Sequence, residues 1–82
     1  MNELDRIFYD GFDKLMTFNP SRELGEAMDA TEEVLDAPSA EIAERILADL
    51  VDEFSDALYE QERANWYYHL IDPLFDEVRK DL

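Results

Sequence analysis

The stretch that decides the fold is residues 39–58, which reads SAEIAERILADLVDEFSDAL. Its apolar residues recur every three or four positions, the spacing that places side chains on one face of an α-helix. They are Ile42, Ala43, Ile46, Leu47, Leu50, Val51, Phe54, Ala57 and Leu58. The opposite arc carries carboxylates, with Arg45 as its only basic residue. The pattern predicts one amphipathic helix from Ser39 to about Ala64.

The same periodicity precedes this stretch and predicts two more helices, at about 2–18 and 21–36. The first helix should turn one apolar face inward, formed by Leu4, Ile7, Phe8, Phe12, Leu15 and Met16. Breaks are expected at the Asn-Pro-Ser and Ala-Pro-Ser sequences, where Asn19 or Ser21 and then Ser39 can accept a hydrogen bond from the first helical turn.

A densely apolar region follows from Trp66 to the end of the chain and predicts a last helical segment at 65–81. We expect a break at Asp72–Pro73, either a kink or a short last helix over 73–81 capped by Asp72, because a residue before proline disfavours the helical conformation and proline has no amide hydrogen to donate. No segment alternates with period two as a half-buried strand would. The sequence therefore predicts an all-α fold, a small three- or four-helix bundle in a single acidic domain spanning 1–82.

The composition is strongly one-sided, with 22 Asp and Glu against seven Lys and Arg and a formal net charge of −15. Hydrophobic residues make up 46% of the chain, too many for a chain held disordered by its charge. Direct binding to DNA, RNA or an anionic membrane is disfavoured because those surfaces attract basic residues. No apolar run approaches the roughly 18–20 residues of a membrane span, and the first residues lack the features of a signal peptide. We expect a soluble, cytoplasmic protein.

The residues that most enzymes use are scarce. There is one histidine, His69, and no cysteine, so a cysteine nucleophile or thiolate metal site is excluded. The serines read as helix caps (Ser21 and Ser39) or as a helix-surface hydroxyl (Ser55). The sequence therefore predicts a protein that is not an enzyme, with no catalytic, cofactor-binding or metal-binding residues.

The acidic face of the third predicted helix is the main candidate site. On a helix, carboxylates three or four positions apart lie about 5–6 Å from one another, and fifteen charges equal those on roughly 25 Å of duplex DNA. Such a row could occupy the positive groove of a basic nucleic-acid-binding protein. The main row is Glu41, Asp49, Asp52, Glu53, Asp56 and Glu60, and supporting acids are Asp10, Asp13, Glu32 and Glu33.

Aromatic residues near the C-terminus form a second candidate surface. Tyrosine and tryptophan are favoured at interfaces because they are large and carry one polar group. Trp66, Tyr67, Tyr68 and Phe75 are therefore core residues or a self-association surface of a homodimer.

Two stretches resemble a known family. Residues 56–68, DALYEQERANWYY, and residues 7–16, IFYDGFDKLM, are similar to parts of the small phage antirestriction proteins of the overcome-classical-restriction type. The resemblance implies an acidic, helical, often dimeric DNA mimic that occupies the DNA groove of a restriction enzyme. A CRISPR effector or another DNA-processing protein offers a similar groove.

Two other hypotheses remain open from the sequence. The chain could be an antitoxin-like or chaperone-like module for a single basic partner, bound through its apolar surface near Trp66–Phe75. It could also be a salt-adapted helical domain, since halophilic surfaces are acidic and poor in lysine.

Overall fold

The computed structural model of the chain describes residues 2–82, and all of its regular structure is helical. The helices are α1 (Asn2–Met16), α2 (Arg22–Thr31), α3 (Ala40–Phe54), α4 (Glu60–Trp66) and α5 (Asp72–Arg79). A 3₁₀ segment, Glu32–Asp36, continues α2, and a π-helical segment, Tyr67–Ile71, joins α4 to α5. This confirms the predicted small all-α bundle. Within residues 2–82, no helix is long and apolar enough to cross a membrane.

The two predicted serine caps are confirmed. Ser21 Oγ accepts a hydrogen bond from the amide of Leu24 at 3.2 Å, and Ser39 Oγ accepts one from Ile42 at 3.3 Å. Each bond satisfies an amide that has no carbonyl partner in the first helical turn. Asn19 does not cap α2; it adopts a left-handed φ of 52° in the turn after α1, a conformation that asparagine tolerates better than most residues.

One hydrophobic cluster holds the helices together. α1 and α3 both pack against α5, and α2 packs against α3 and α4. The largest fully buried side chains include Trp66, Phe8, Leu15, Leu24, Met28, Leu47, Leu70, Ile71 and Leu74. Three residues of the predicted apolar faces are exposed: Met16 (50%), Ile42 (40%) and Ala57. Met16 lies in the last turn of α1, Ile42 in the first turn of α3, and Ala57 in the turn after α3.

The predicted continuous helix from Ser39 to about Ala64 is wrong. α3 ends at Phe54, and a turn over residues 55–59 precedes α4. A straight helix of that predicted length would be about 39 Å long, whereas the longest dimension of the molecule is 32 Å. The turn lets the C-terminal helices fold back over α3. The Ser55 hydroxyl bonds to the carbonyl of Val51 and the Arg63 guanidinium donates to the carbonyl of Ser55 at 3.0 Å, so side chains satisfy the end of α3.

Of the two forms predicted for the break at Asp72–Pro73, the short last helix capped by Asp72 is wrong. Asp72 has helical torsion angles (φ −62°, ψ −48°), makes no side-chain cap, and the chain stays helical from Glu60 to Arg79. In a regular α-helix the Pro73 ring would meet the carbonyl of His69, four residues earlier. The wider π-helical turn lies just before the proline and relieves this conflict, as π-bulges can do within a longer helix.

Candidate functional site

The outer face of α3 carries four of the predicted acidic residues. Glu41, Asp49, Asp52 and Glu53 are all exposed and fall within an arc of about 120° on one helix. These carboxylates run from Glu41 to Glu53 within α3, a span of about 18 Å along the helix axis. Arg45 lies within the same arc and is also exposed. We call these four carboxylates the α3 acidic face.

The other two members of the predicted main row do not continue this face. Asp56 lies in the turn after α3, and Glu60 begins α4. Both remain exposed, but the row along a single helix is shorter than predicted because the helix ends at Phe54. The predicted site is therefore divided among α3, the turn that follows it and the start of α4.

A second acidic surface collects carboxylates from α1, α2 and the 3₁₀ segment around an open hollow of about 400 Å³. It contains Glu32 and Glu33, which were predicted as supporting residues. The other members, Asp5, Asp29 and Asp36, carry no sequence signal for this site, because only the packing of separate segments brings them together.

Tyr9 connects α1 to this acidic hollow. Its hydroxyl donates a hydrogen bond to Glu32 Oε2 at 3.2 Å. That bond, together with the negative charge of Glu32, raises the pKa of Tyr9, because removing the proton would place a phenolate beside a carboxylate. No signal in the local sequence marks this contact, since the two residues are 23 positions apart.

The predicted supporting residues on α1, Asp10 and Asp13, are exposed on that helix. Asp10 is the less available of the two for a partner because Arg6 Nη1 lies 3.4 Å from it. The same arginine also contacts Glu3 at 2.7 Å, and its charge and hydrogen bond lower the pKa of Glu3.

Most carboxylates have no basic partner. Five ion pairs are formed within residues 2–82: Arg6 with Glu3 and Asp10, Arg22 with Glu26, Arg79 with Glu44, and Lys80 with Glu77. These pairs use five of the 22 acidic side chains, which leaves seventeen with no cation of this part of the chain within 4.0 Å. Among residues 3–82 no Asp or Glu is buried, so this negative charge lies at the surface.

Glu62 has a structural role. It accepts hydrogen bonds from the amide and the hydroxyl of Ser21, at 2.9 and 2.6 Å. Because Ser21 also caps α2, this carboxylate ties the start of α2 to α4. The Glu62 carboxylate is thus used in an internal contact of the described residues, not offered to a partner.

The four residues predicted as a self-association surface are divided by the fold. Trp66 and Phe75 are buried in the core, at 0% and 7% exposure, whereas Tyr67 and Tyr68 are 43% and 72% exposed. Trp66 and Phe75 are therefore core residues, one of the two roles predicted for this group, and self-association through the exposed Tyr67 and Tyr68 stays a prediction. Trp66 is large and apolar enough to fill the core, and its indole Nε1 donates to Thr31 Oγ1 at 3.0 Å.

Tyr67 and Tyr68 border an open groove of about 550 Å³ between the end of α3 and the C-terminal helices. The buried indole of Trp66 backs this groove, and Arg63, Glu60 and Asp72 lie along it. We call it the aromatic groove. The ring of His69, which does not line the groove, lies beside that of Tyr68 and stacks with Phe18, with centroids 5.1 and 6.0 Å apart.

The described residues offer no arrangement typical of a metal centre. Within residues 2–82, no group of three or more histidine, aspartate or glutamate side chains is placed to hold a metal ion. The candidate functional surfaces described above are the α3 acidic face, the acidic hollow and the aromatic groove.

Comparisons with known proteins identified no relative of the chain. A scan against protein families, a search of curated proteins and a search of solved structures each found no match to the chain.

Proposed function

We propose that this protein is a non-enzymatic inhibitor that mimics nucleic acid and occupies the positively charged groove of a defence or DNA-processing protein, such as a restriction or CRISPR enzyme. The α3 acidic face would supply the main contacts, with the acids of the hollow and of α1 supporting them. Such an inhibitor would be encoded by a phage or mobile element and would act in the cytoplasm of the host cell.

The observation that carries the proposal is the density of unpaired charge. A net charge of −15 is distributed over a molecule whose longest dimension is 32 Å. Duplex DNA of that length carries about 19 phosphate charges, at one per ~1.7 Å of axis. The protein and the duplex therefore present similar charge per unit length to a positive groove.

The physical consequence is attraction that acts before contact. A groove lined by Lys and Arg focuses its field outward and accelerates the approach of a molecule of opposite charge. Because seventeen carboxylates have no basic partner within residues 2–82, little internal pairing must be broken on binding. The charge also destabilises the folded protein through self-repulsion, and a function that uses the charge explains why it is kept.

The experiment that tests the proposal is a capture of partners from a bacterial lysate. Immobilised protein is washed at low salt and eluted with duplex DNA, and a parallel column is eluted with an uncharged polymer at the same concentration. DNA-binding proteins that leave only with the duplex would support mimicry. Partners that remain bound in the presence of excess duplex would contradict it.

One observation favours a second function, an antitoxin-like or chaperone-like module for a single basic protein. Tyr67, Tyr68 and Phe18 expose aromatic surface that a purely electrostatic mimic does not need. In that case binding would survive at high ionic strength, where the Debye length is only several ångströms. Elution with 0.5 M NaCl therefore separates the two functions: a mimic should lose most of its affinity and elute, whereas an apolar module should keep its affinity and be retained.

A further inference from the structure

The aromatic groove is built on the least regular part of the C-terminal helices. Tyr67 and Tyr68 are the first two residues of the π-helical segment that precedes Pro73. A π-helical turn is rare and often occurs at a functional site. Here it coincides with two exposed tyrosines that line one side of a groove of about 550 Å³, a size within the range of ligand-binding clefts.

The charges along the groove are arranged for a cation. Glu60 and Asp72 line it, and neither has a basic side chain within 4.0 Å among residues 2–82. Arg63 also lines the groove, and its guanidinium donates at 3.0 Å to the carbonyl of Ser55, a residue that lines the groove too. That bond holds the arginine at the Ser55 end, so the groove carries two carboxylates against one guanidinium.

We propose that the aromatic groove binds an arginine side chain of the protein partner. A guanidinium can lie flat on a tyrosine ring and at the same time donate to a carboxylate beside it. The chain already uses such a contact internally, since the guanidinium carbon of Arg79 lies 4.6 Å from the centre of the Phe75 ring. This inference deepens the proposed function, because it rests on a basic partner and identifies where one of its side chains binds.

Arginine fits these features better than the other occupants. A second copy of the chain would bring another −15 of charge against the groove, and nucleic acid would bring phosphates. Lysine carries a compact, strongly hydrated charge, whereas the planar guanidinium is more weakly hydrated and has five donors for Glu60 and Asp72.

The test uses the whole protein and two synthetic peptides, nona-arginine and nona-lysine, in 0.15 and 0.5 M NaCl. Amide chemical shifts locate each peptide, and the fluorescence of Trp66, the only tryptophan, reports on the groove. With nona-arginine we expect amide shifts around Tyr67 and Tyr68 that persist at 0.5 M NaCl. At that salt concentration nona-lysine should bind at least fivefold more weakly than nona-arginine. Equal affinities, or shifts confined to the acidic faces, would overturn the proposal.

Variants provide the second arm. Tyr67→Ala combined with Tyr68→Ala should weaken nona-arginine binding at 0.5 M NaCl about fivefold to tenfold, the size of a cation–π contact or two. Tyr59→Ala is the matched control, because Tyr59 is 69% exposed and does not line the groove. An equal loss in both variants would refute the groove as the site, and the wild-type shifts decide the question if the double variant does not fold.

This test needs neither DNA nor a nucleic-acid-binding protein, so its failure and that of the proposed function are distinguishable. If nona-arginine binds the groove but duplex DNA displaces no partner from the column, mimicry fails and the arginine site stands. If duplex DNA displaces partners but the groove shows no preference for arginine, mimicry stands and the arginine site fails.

Discussion

The backbone of Gly11 packs directly against the carbonyl oxygen of His69. A β-carbon at position 11 would overlap that oxygen and would also lie 2.8 Å from Leu70 Cδ2. In a regular helix, the amide four residues later bonds to this carbonyl, but that residue is Pro73, which has no amide hydrogen. The π-helical segment and the missing side chain of Gly11 together allow α1 to approach the C-terminal helices closely.

Gly11→Ala should therefore destabilise the protein although alanine favours helix more than glycine does. We expect a loss of about 2 kcal/mol in the free energy of unfolding, typical of overpacking against backbone that cannot move aside. Urea denaturation followed by circular dichroism measures it. Gly25→Ala is the matched control, because that glycine lies inside α2 and a β-carbon added there would have no atom within 4 Å. We expect this variant to gain about 0.5–1 kcal/mol in the free energy of unfolding. The packing argument fails if the two variants behave alike.

The periodicity of apolar residues was sufficient to predict the helices and most of the core. It could not predict the end of α3, because Ala57 and Leu58 continue the apolar spacing through the turn over residues 55–59. The spacing of apolar residues along the chain does not show where a helix must end so that the next one can pack against it. The same spacing made Asp56 and Glu60 look like members of one acidic row.

Pro73 correctly indicated irregular structure, but whether the chain would break or form a π-helical segment depended on tertiary contacts. Local rules favour a break before proline, whereas burial of Leu70, Ile71 and Leu74 keeps the chain helical on both sides. The acidic hollow could not be predicted from the sequence for a related reason. Its carboxylates come from three segments whose juxtaposition no local pattern encodes.

The buried contact between Trp66 and Thr31 predicts a sharp effect of a small substitution. Thr31→Val keeps the shape of the side chain but leaves the indole N–H of Trp66 without an acceptor in the core. We expect a loss of about 1–3 kcal/mol, the cost of an unsatisfied buried donor. Thermal denaturation measures it, with Thr17→Val as control because Thr17 is exposed after α1. A loss within about 0.5 kcal/mol, as for a surface substitution, would show that this hydrogen bond contributes little.

The Tyr9–Glu32 contact predicts a change in tyrosine titration. Glu32→Gln removes the negative charge that raises the pKa of Tyr9, so the pKa should fall toward its ordinary value of about 10. Because the pKa is raised in the folded state, this contact stabilises the fold below about pH 10 and is lost as pH rises through the higher value. Tyrosine ¹³C shifts followed from pH 8 to 12 resolve the four rings, and Glu33→Gln serves as control. An unchanged Tyr9 titration in Glu32→Gln would contradict the assignment.

The net charge of −15 predicts that salt stabilises the fold without being required for it. The Debye length falls from about 30 Å at 0.01 M salt to about 3 Å at 1 M, which screens repulsion between the carboxylates. We expect helical circular dichroism already at 0.01 M NaCl and a rise in Tm of several degrees by 1 M. A chain that is unfolded at 0.01 M and folds only in molar salt would instead favour the salt-adapted hypothesis.

Charge reversal on α3 tests whether position matters beyond net charge. Replacing Glu41, Asp49, Asp52 and Glu53 by lysine raises the formal charge from −15 to −7. The matched control replaces Glu23, Glu26, Asp76 and Asp81, all exposed and outside the α3 acidic face, and reaches the same charge. We expect the α3 variant to bind the proteins recovered by duplex elution about a hundredfold more weakly at 0.1 M NaCl, since each exposed charge pair contributes up to about 1 kcal/mol and reversal adds repulsion. The control should lose far less, and single reversals should have little effect because the attraction is distributed. Equal losses in the two quadruple variants would mean that only overall charge matters, and full binding by the α3 variant would exclude this face as the mimic of phosphate.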